Sequence, residues 1–213
     1  GKRGVAYINA AMTNLFAGTG SKVTWAYNWA AQPKDGANPA LKFVPMLWGT
    51  DSGMLDAWYG LANKALTNGA DSFLAFNEPD LHGLSVSSGI DPLPAAHAYL
   101  EYIDAYSGYA KLGAPAITNS GPPGGITWLQ QFLEACSGCQ IDFIPCHWYG
   151  GADTTAFKNH ITDVYNAGSQ RPVWITEFAA DGTEDQVLAF LGEVLPWMDA
   201  QPWIERYAYF WHD

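Results

Sequence analysis

The feature that most constrains this chain is a short run of apolar, aromatic or β-branched residues that recurs eight times. Most runs are almost continuously apolar, which is typical of parallel strands buried on both faces. Segments with helical hydrophobic spacing lie between most of them, at residues 54–68, 94–109, 126–136, 154–167 and 183–199. The eight runs cover residues 4–9, 23–29, 43–49, 72–77, 111–118, 142–149, 173–178 and 206–211.

This alternation predicts an α/β fold with parallel strands joined by right-handed crossovers. Eight strands predict one compact, single-domain (β/α)8 TIM barrel over residues 1–213. Reduced helices explain the short length, because residues 30–41 have loop composition and residues 13–17 allow only a short helix. The alternative is an open doubly wound sheet, but the first run is not followed by the Gly-rich phosphate loop of that fold.

The composition narrows the class of partner. A formal net charge of −11 argues against binding to the phosphate backbone of nucleic acid, and no apolar run is long enough to span a bilayer. Charged and aromatic residues each make up 15% of the chain, and ten residues are Trp. Aromatic side chains fill cores, but their flat faces also stack on sugar rings. We therefore expect an extracellular carbohydrate-active protein with no nucleic-acid or membrane partner.

The three cysteines favour a disulfide over a metal site. Cys136 and Cys139 form a C-x-x-C pair, and Cys146 follows it. A zinc site normally needs four ligands, and no second pair exists. A thioredoxin-like pair opens a helix, whereas this pair closes one. We expect a small loop disulfide and a buried free thiol at Cys146.

Polar and aromatic side chains collect where the predicted strands end. In a barrel of this kind the active site lies at the carboxyl ends of the strands. These ends therefore define the candidate site. Its predicted residues are Glu78 and Glu177, with Asn28, Trp29, Trp48, Asn77, His147, Tyr149 and Trp211 as candidate substrate-binding residues and Asn9 and Thr118 at the same rim.

Two of these residues are glutamates, on the fourth and seventh strands and so on opposite sides of the barrel. Cleavage of a glycosidic bond needs one carboxyl group to protonate the leaving oxygen and an ionised one to attack the anomeric carbon. One such glutamate alone would be read as part of a salt bridge or a helix cap. Glu78 and Glu177 each follow a buried apolar run among aromatic residues, so the sequence predicts a catalytic pair.

Side-chain alternation along a strand predicts which way these glutamates point. Glu177 shares a strand face with Ile175, so it points into the barrel if Ile175 does. Asn77 and Glu78 are adjacent, so both reach the cleft only if the strand ends or bulges there. Pro79 favours such a break because it lacks a backbone donor.

The same rule sorts the sixth run, where His147 and Tyr149 share one face and Cys146 and Trp148 the other. Tryptophans from several strands surround the rim and could cup a bent ligand. By its parity with Cys146, Trp148 is the one that we expect in the core. The other candidate platforms are Trp29, Trp48 and Trp211.

Three segments together resemble a known family. FNEPD at residues 76–80 is similar to the strand-4 acid/base motif of clan A glycoside hydrolases, and WITEFA at 174–179 to their strand-7 nucleophile motif. DFIPCHWYG at 142–150 resembles strand 6 of glycoside hydrolase family 128, the fungal alkali-sensitive-linkage-protein-like β-1,3-glucanases. The final aromatic YFW at 209–211 also matches, so the resemblance extends over most of the chain.

The resemblance implies a retaining hydrolase with Glu78 as general acid/base and Glu177 as nucleophile. It implies that Asn77 holds the sugar 2-hydroxyl, that Tyr149 hydrogen-bonds Glu177, and that Trp211 forms the floor of the subsite under attack. The implied substrate is β-1,3-glucan or its oligosaccharides, and the implied source is fungal. We also expect a secreted or cell-wall protein that is a monomer. Exo and endo action both stay open.

Two other functions compete with hydrolysis as interpretations of the sequence. A β-glucan-binding barrel with little or no hydrolysis would keep the tryptophans but could lose either glutamate, so the presence of both favours the enzyme. A metal-dependent deacetylase would need clustered ligands at strand ends, yet only His147 and His212 of the five histidines end strands. We therefore expect no metal and no organic cofactor.

Overall fold

The computed structural model describes residues 1–210, so the predictions for Trp211 and His212 lie outside the described residues. The strands are β1 Arg3–Ala6, β2 Val23–Tyr27, β3 Lys42–Phe43, β4 Ser72–Phe73, β5 Lys111–Leu112, β6 Ile144–Gly151, β7 Val173–Asp181 and β8 Ile204–Tyr209. The α-helices are α1 Ser52–Thr67, α2 Pro92–Ala98, α3 Gly125–Ala135, α4 Thr154–Ala167 and α5 Glu184–Ala200.

The strands form a closed parallel ring. Six of them pair in the order β3-β2-β1-β8-β7-β6, and β4 pairs with β5. Isolated parallel bridges complete the ring, joining Met46 to Leu74 beyond β3 and β4, and Ile117 to Cys146 beyond β5. The predicted (β/α)8 TIM barrel is confirmed, and the carboxyl ends of all eight strands face the same side.

Three of the predicted strands are regular over only two residues each, although their apolar runs are longer. Pro45 and Pro115 cannot donate to a ladder, so the chain beyond β3 and β5 continues as extended backbone with single bridges. The loop predicted at 30–41 contains no helix, and a 3₁₀ helix at Ala10–Phe16 replaces the short helix predicted at 13–17. These reductions keep the barrel small.

The prediction of one helix at 94–109 was wrong, because the segment is α-helical only in its first part. Helix α2 ends at Ala98 and the chain continues as a π turn over Tyr99–Ile103 and a 3₁₀ turn over Asp104–Tyr106. Two buried tyrosines of this segment have different neighbours. Tyr99 packs edge-on against Phe132, and Tyr106 packs against Trp58 and Phe73.

The core has two layers. Inside the barrel, Trp25, Phe143 and Trp174 pack together, with the rings of Phe143 and Trp174 stacked at 3.8 Å. Outside the barrel, Ile175 and Phe178 pack under the helices. This alternation is the reason that the runs are apolar on both faces.

Cys136 and Cys139 form the expected disulfide, and Cys146 is a buried free thiol, as predicted. Across residues 1–210, no helix combines the length and the apolar character needed to cross a membrane.

Candidate active site

The structure brings Glu78 and Glu177 together at the carboxyl ends of the strands. Both are buried, at 8% and 5% exposure. One carboxylate oxygen of each lies within 4.8 Å of the other and of a ring nitrogen of His147. Two acidic side chains this close and this buried need specific partners, and the surrounding residues supply them.

The backbone breaks at Glu78, as the sequence predicted for this strand. Asn77 donates its N–H to the carbonyl of Trp48 at 2.9 Å, and Glu78 donates to Ala116 at 2.8 Å. Glu78 has φ 45°, in the left-handed region that is uncommon for residues with a side chain. The turn carries the carboxylate into the cleft next to Asn77. The Asn77 amide donates to the Val86 carbonyl at 3.1 Å, and its Oδ1 atom is buried without a hydrogen-bond partner in the described chain.

A bulge in β7 aims the second glutamate. Cys146 of β6 pairs with Ile175, but the next residue, His147, pairs with Glu177, which leaves Thr176 as an extra residue. Ile175 therefore packs under the helices while Glu177 faces the cleft. The prediction that Glu177 and Ile175 share a strand face was wrong, because the bulge interrupts the regular alternation of side chains along β7.

Three neutral donors hold the Glu177 carboxylate. Tyr149 donates its hydroxyl to Oε2 at 2.6 Å, as the family resemblance implied. Trp29 donates its indole N–H to Oε1 at 2.6 Å, and the Tyr27 hydroxyl reaches the same oxygen at 3.3 Å. Burial and the negative charge of Glu177 raise the pKa of Tyr27 and of Tyr149, so both phenols stay protonated and keep donating.

His147 lies between the two glutamates. Its Nδ1 is 2.7 Å from Glu78 Oε1, and its Nε2 faces Glu177 Oε1 at 3.5 Å. Its side chain is fully buried, so the structure places the ring against both carboxylates, where the sequence suggested a sugar contact. Burial lowers the pKa of His147, but Glu177 and Glu78 together raise it above its usual value.

The other predicted binding residues have different surroundings. The Asn28 amide accepts from Ala30 N–H and donates to the Gln32 carbonyl, so it shapes the loop after β2. Trp48 is half-buried and packs on the barrel interior. Trp148 is in the core, stacked on Phe190 at 5.6 Å, as its parity predicted. Sugar contacts by Asn28 and Trp48 stay predictions.

Two site residues were missed by sequence reasoning. Tyr27 could have been found, because it lies two residues before Trp29 and so shares its strand face. Phe210 contacts Trp29 and Tyr149 edge-on, with ring centroids 5.9 and 5.6 Å away, and no local signal distinguished it from a core residue.

Asp80 has a structural role in the loop beside Glu78. Its carboxylate accepts from the backbone N–H of Thr118 and, at 2.8 Å, from that of Gly125, the first residue of α3. The observed contacts are those of a cap, and they fix the start of α3 to the loop after β4.

Glu78, His147 and Glu177 also form a set of three side chains that could together ligate a metal ion. The two ring nitrogens of His147 face different carboxylates, so the ring lies between the two carboxylate oxygens. A metal ion would need both oxygens and one ring nitrogen around a single position. Glycosidic cleavage by two carboxyl groups requires no metal.

Comparison with known proteins identifies the family. Residues 4–213 match the family model described as glycosyl hydrolase catalytic core. Alkali-sensitive linkage protein 1 of Schizosaccharomyces pombe is 36% identical over 99% of this chain, which spans only 38% of that protein's length.

Solved structures match over nearly the whole chain. A family GH128, subgroup III, curdlan-specific exo-β-1,3-glucanase from Blastomyces gilchristii has 38% identity and a TM-score of 0.91, covering 99% of this chain and 89% of that one. A subgroup I endo-β-1,3-glucanase from Amycolatopsis mediterranei has 31% identity and a TM-score of 0.78, covering 98% and 88%. The fold, the site and these similarities agree, and the chain belongs to glycoside hydrolase family 128, within the glycosyl hydrolase catalytic core family.

Proposed function

We propose that this chain hydrolyses β-1,3-glucan or its oligosaccharides by a retaining double displacement, with Glu78 as general acid/base and Glu177 as nucleophile. The main evidence is that both carboxylates are buried and that an oxygen of Glu78 lies within 4.8 Å of an oxygen of Glu177. Retaining enzymes hold their two carboxyl groups about 5–5.5 Å apart, whereas inverting enzymes leave about 6.5–9.5 Å for a water molecule.

The hydrogen bonds support this assignment of roles. The Glu177 carboxylate accepts hydrogen bonds from three neutral N–H or O–H donors, which fix its orientation, as a nucleophile requires. Glu78 has one side-chain partner in the described structure, His147, and so has a carboxyl oxygen free to exchange a proton with substrate.

In the first step, Glu78 gives its proton to the glycosidic oxygen as the bond to the anomeric carbon breaks. A Glu177 oxygen forms a bond to that carbon from the opposite face, giving an α-linked glycosyl ester, and the shortened glucan leaves with the proton. The hydroxyl of Tyr149 keeps the attacking carboxylate in line with this bond.

In the second step, Glu78 is ionised and removes a proton from a water molecule. The water oxygen attacks the anomeric carbon, the ester bond to Glu177 breaks, and the released sugar has the β configuration of the substrate. Both glutamates return to their starting protonation states. His147 contacts both carboxylates and is therefore placed to respond to each change of charge.

The similar proteins support the choice of linkage. The Blastomyces gilchristii structure contains glucose and the Amycolatopsis mediterranei structure contains laminaritriose. These relatives include both an exo- and an endo-acting enzyme, so the proposal covers the linkage and leaves the position of cleavage to product sizing. We also propose that the protein is a secreted or cell-wall fungal protein that acts as a monomer.

The test is incubation with curdlan, laminari-oligosaccharides and cello-oligosaccharides, with product sizing and NMR detection of the first anomer formed. We expect products from β-1,3 substrates, little action on cellulose, and initial β anomers. Glu177→Gln should be inactive, while Glu205→Gln, a carboxylate at the opposite end of the barrel, should retain activity. An α anomer would overturn the retaining mechanism. Tight laminari-oligosaccharide binding without products would replace the proposal with a glucan-binding role.

A further inference from the structure

We propose that Trp29 is a positioning residue for the nucleophile, with sugar stacking at most a secondary role; the proposal rests on the function proposed above. The indole N–H lies 2.6 Å from Glu177 Oε1, which is as short as the bond from Tyr149 to the other oxygen. Trp29 lies in the turn after β2, and Tyr149 lies in β6, so the two donors approach from opposite sides of β7. Neither is adjacent in sequence to Glu177. Together they restrict rotation of the carboxylate about its last bond.

The backbone shows how Trp29 reaches this position. Trp29 has φ 57°, a left-handed conformation that bulky residues rarely adopt. The preceding residue, Asn28, accepts the N–H of Ala30 with its side chain and so closes a turn around Trp29. A locally unfavourable conformation persists only where surrounding contacts impose it. Here the turn directs the indole edge across the barrel rim toward Glu177.

The packing of the ring leaves Trp29 less suited to act as a platform. Its centroid is 5.1 Å from that of Tyr27, tilted by 58°, and 5.9 Å from that of Phe210, which meets it edge-on. The indole is therefore held on two sides by aromatic neighbours. Tyr27 supplies a second donor to the same Glu177 oxygen, so the last residue of β2 and the turn after it each contribute one donor.

The donors also share a chemical property, which is that none carries a permanent charge. An indole N–H does not titrate, and the two phenols stay protonated because burial and Glu177 raise their pKa values. Within residues 1–210, no lysine or arginine forms an ion pair with Glu177. Neutral donors orient the carboxylate without the fixed positive charge that would oppose its attack on the anomeric carbon. Trp29 thus contributes geometry at every working pH.

The first test is Trp29→Phe, which keeps an aromatic ring and deletes the N–H. Loss of a hydrogen bond to a charged group should lower kcat on laminari-oligosaccharides by about tenfold to a hundredfold. The KM should change little, because the ring remains. Trp203→Phe is the matched control: Trp203 is also half-buried and stacks on Tyr165 at the opposite end of the barrel, so kcat should be unchanged. A raised KM with unchanged kcat would assign Trp29 to sugar stacking and overturn the proposal.

The second test needs no turnover and so separates this proposal from the proposed function. The Trp29 indole N–H resonance is identified by its loss in Trp29→Phe. In Glu177→Ala it should move upfield, because its carboxylate acceptor is gone, whereas the Trp203 resonance should not move. An unmoved Trp29 resonance would refute the bond, and with it the positioning role. Inactivity of the unmodified chain on every glucan, with the shift observed, would refute the proposed function and leave the contact established.

Discussion

Acidic side chains at the two ends of the barrel differ in burial and in the charge of their partners. At the amino ends of the strands, Asp71 lies 2.6 Å from Lys42 Nζ and 3.5 Å from an Arg206 nitrogen, and Glu205 lies 3.3 Å from Lys111 Nζ. These carboxylates are partly solvated and have permanent cations beside them. Although burial raises the pKa of Asp71, its bonds to Lys42 and neighbouring groups lower it below its usual value.

At the carboxyl ends, both glutamates are buried and, within residues 1–210, neither forms an ion pair with a lysine or an arginine. Glu177 is bound by phenol and indole groups, and Glu78 by His147. Of the described residues that contact the pair, His147 is the one whose positive charge depends on pH. This fold therefore places carboxylates paired with permanent cations at one end of the barrel. At the other end it places carboxylates whose charge changes during the proposed reaction.

The largest effects are expected for the two buried glutamates at the carboxyl ends of the strands. Glu177→Ala and Glu78→Ala should each lower turnover by more than about a thousandfold, because each removes a reacting group. Added azide should give an α-glycosyl azide with Glu177→Ala and a β-glycosyl azide with Glu78→Ala from an activated β-glucoside, as read by NMR. Exchanged anomers would reverse the roles of the two residues.

The next largest effect is expected for His147, whose positive charge depends on pH. The raised folded-state pKa of His147 means that its charged form stabilises the fold below its unfolded value of 6.5, and that this contribution is lost as pH rises through the folded pKa. His147→Asn should therefore cost about 1.5–3 kcal/mol in acid and progressively less as the medium becomes alkaline. Denaturant unfolding across this range measures the difference from the unmodified chain.

Lys42→Gln provides the contrast for that series. Lys42 forms a partly exposed ion pair with Asp71 and contacts neither glutamate of the site, so the small effect of this substitution on stability should stay constant over the same range. If the loss of unfolding free energy in His147→Asn stays constant or grows with rising pH, the assignment of a charged imidazole between the glutamates is contradicted.

An intermediate effect concerns the aromatic side chains at the carboxyl ends. If Trp48 is a sugar platform, Trp48→Ala should weaken binding of laminari-oligosaccharides by about 1–3 kcal/mol, by analogy with stacking on other aromatic side chains. Calorimetry in a Glu177→Gln background measures this without turnover. Trp203→Ala, at the other end, should leave affinity unchanged, and equal losses in both would indicate a general effect on the fold.

The smallest effect is expected at the amino ends. Asp71→Asn should change the free energy of unfolding by no more than about 1 kcal/mol, because Asp71 is half exposed and its ion pairs are screened. Activity should be unchanged. A large loss of activity would show that this end is coupled to the site and would remove the contrast between the two ends.

Much of this arrangement could be predicted from local pattern. The eight apolar runs, the helices between them and the disulfide of Cys136 with Cys139 each depend on residues near one another in sequence. Parity was sufficient to place Trp148 in the core and His147 with Tyr149 on the cleft side. The same rule failed in β7, because a bulge depends on how a strand pairs with its neighbour and has no marker in the strand itself.

The sequence by itself determined the barrel, the end at which the site lies and the two glutamates within it, because strand direction and strand order follow from short-range periodicity. Only the tertiary structure decided that Trp29 and Tyr27 donate to Glu177, nearly 150 residues away, and that His147 lies between both carboxylates. The reason is physical: hydrogen bonds form over about 3 Å, and closure of the ring alone brings β2 and β6 to the same carboxylate.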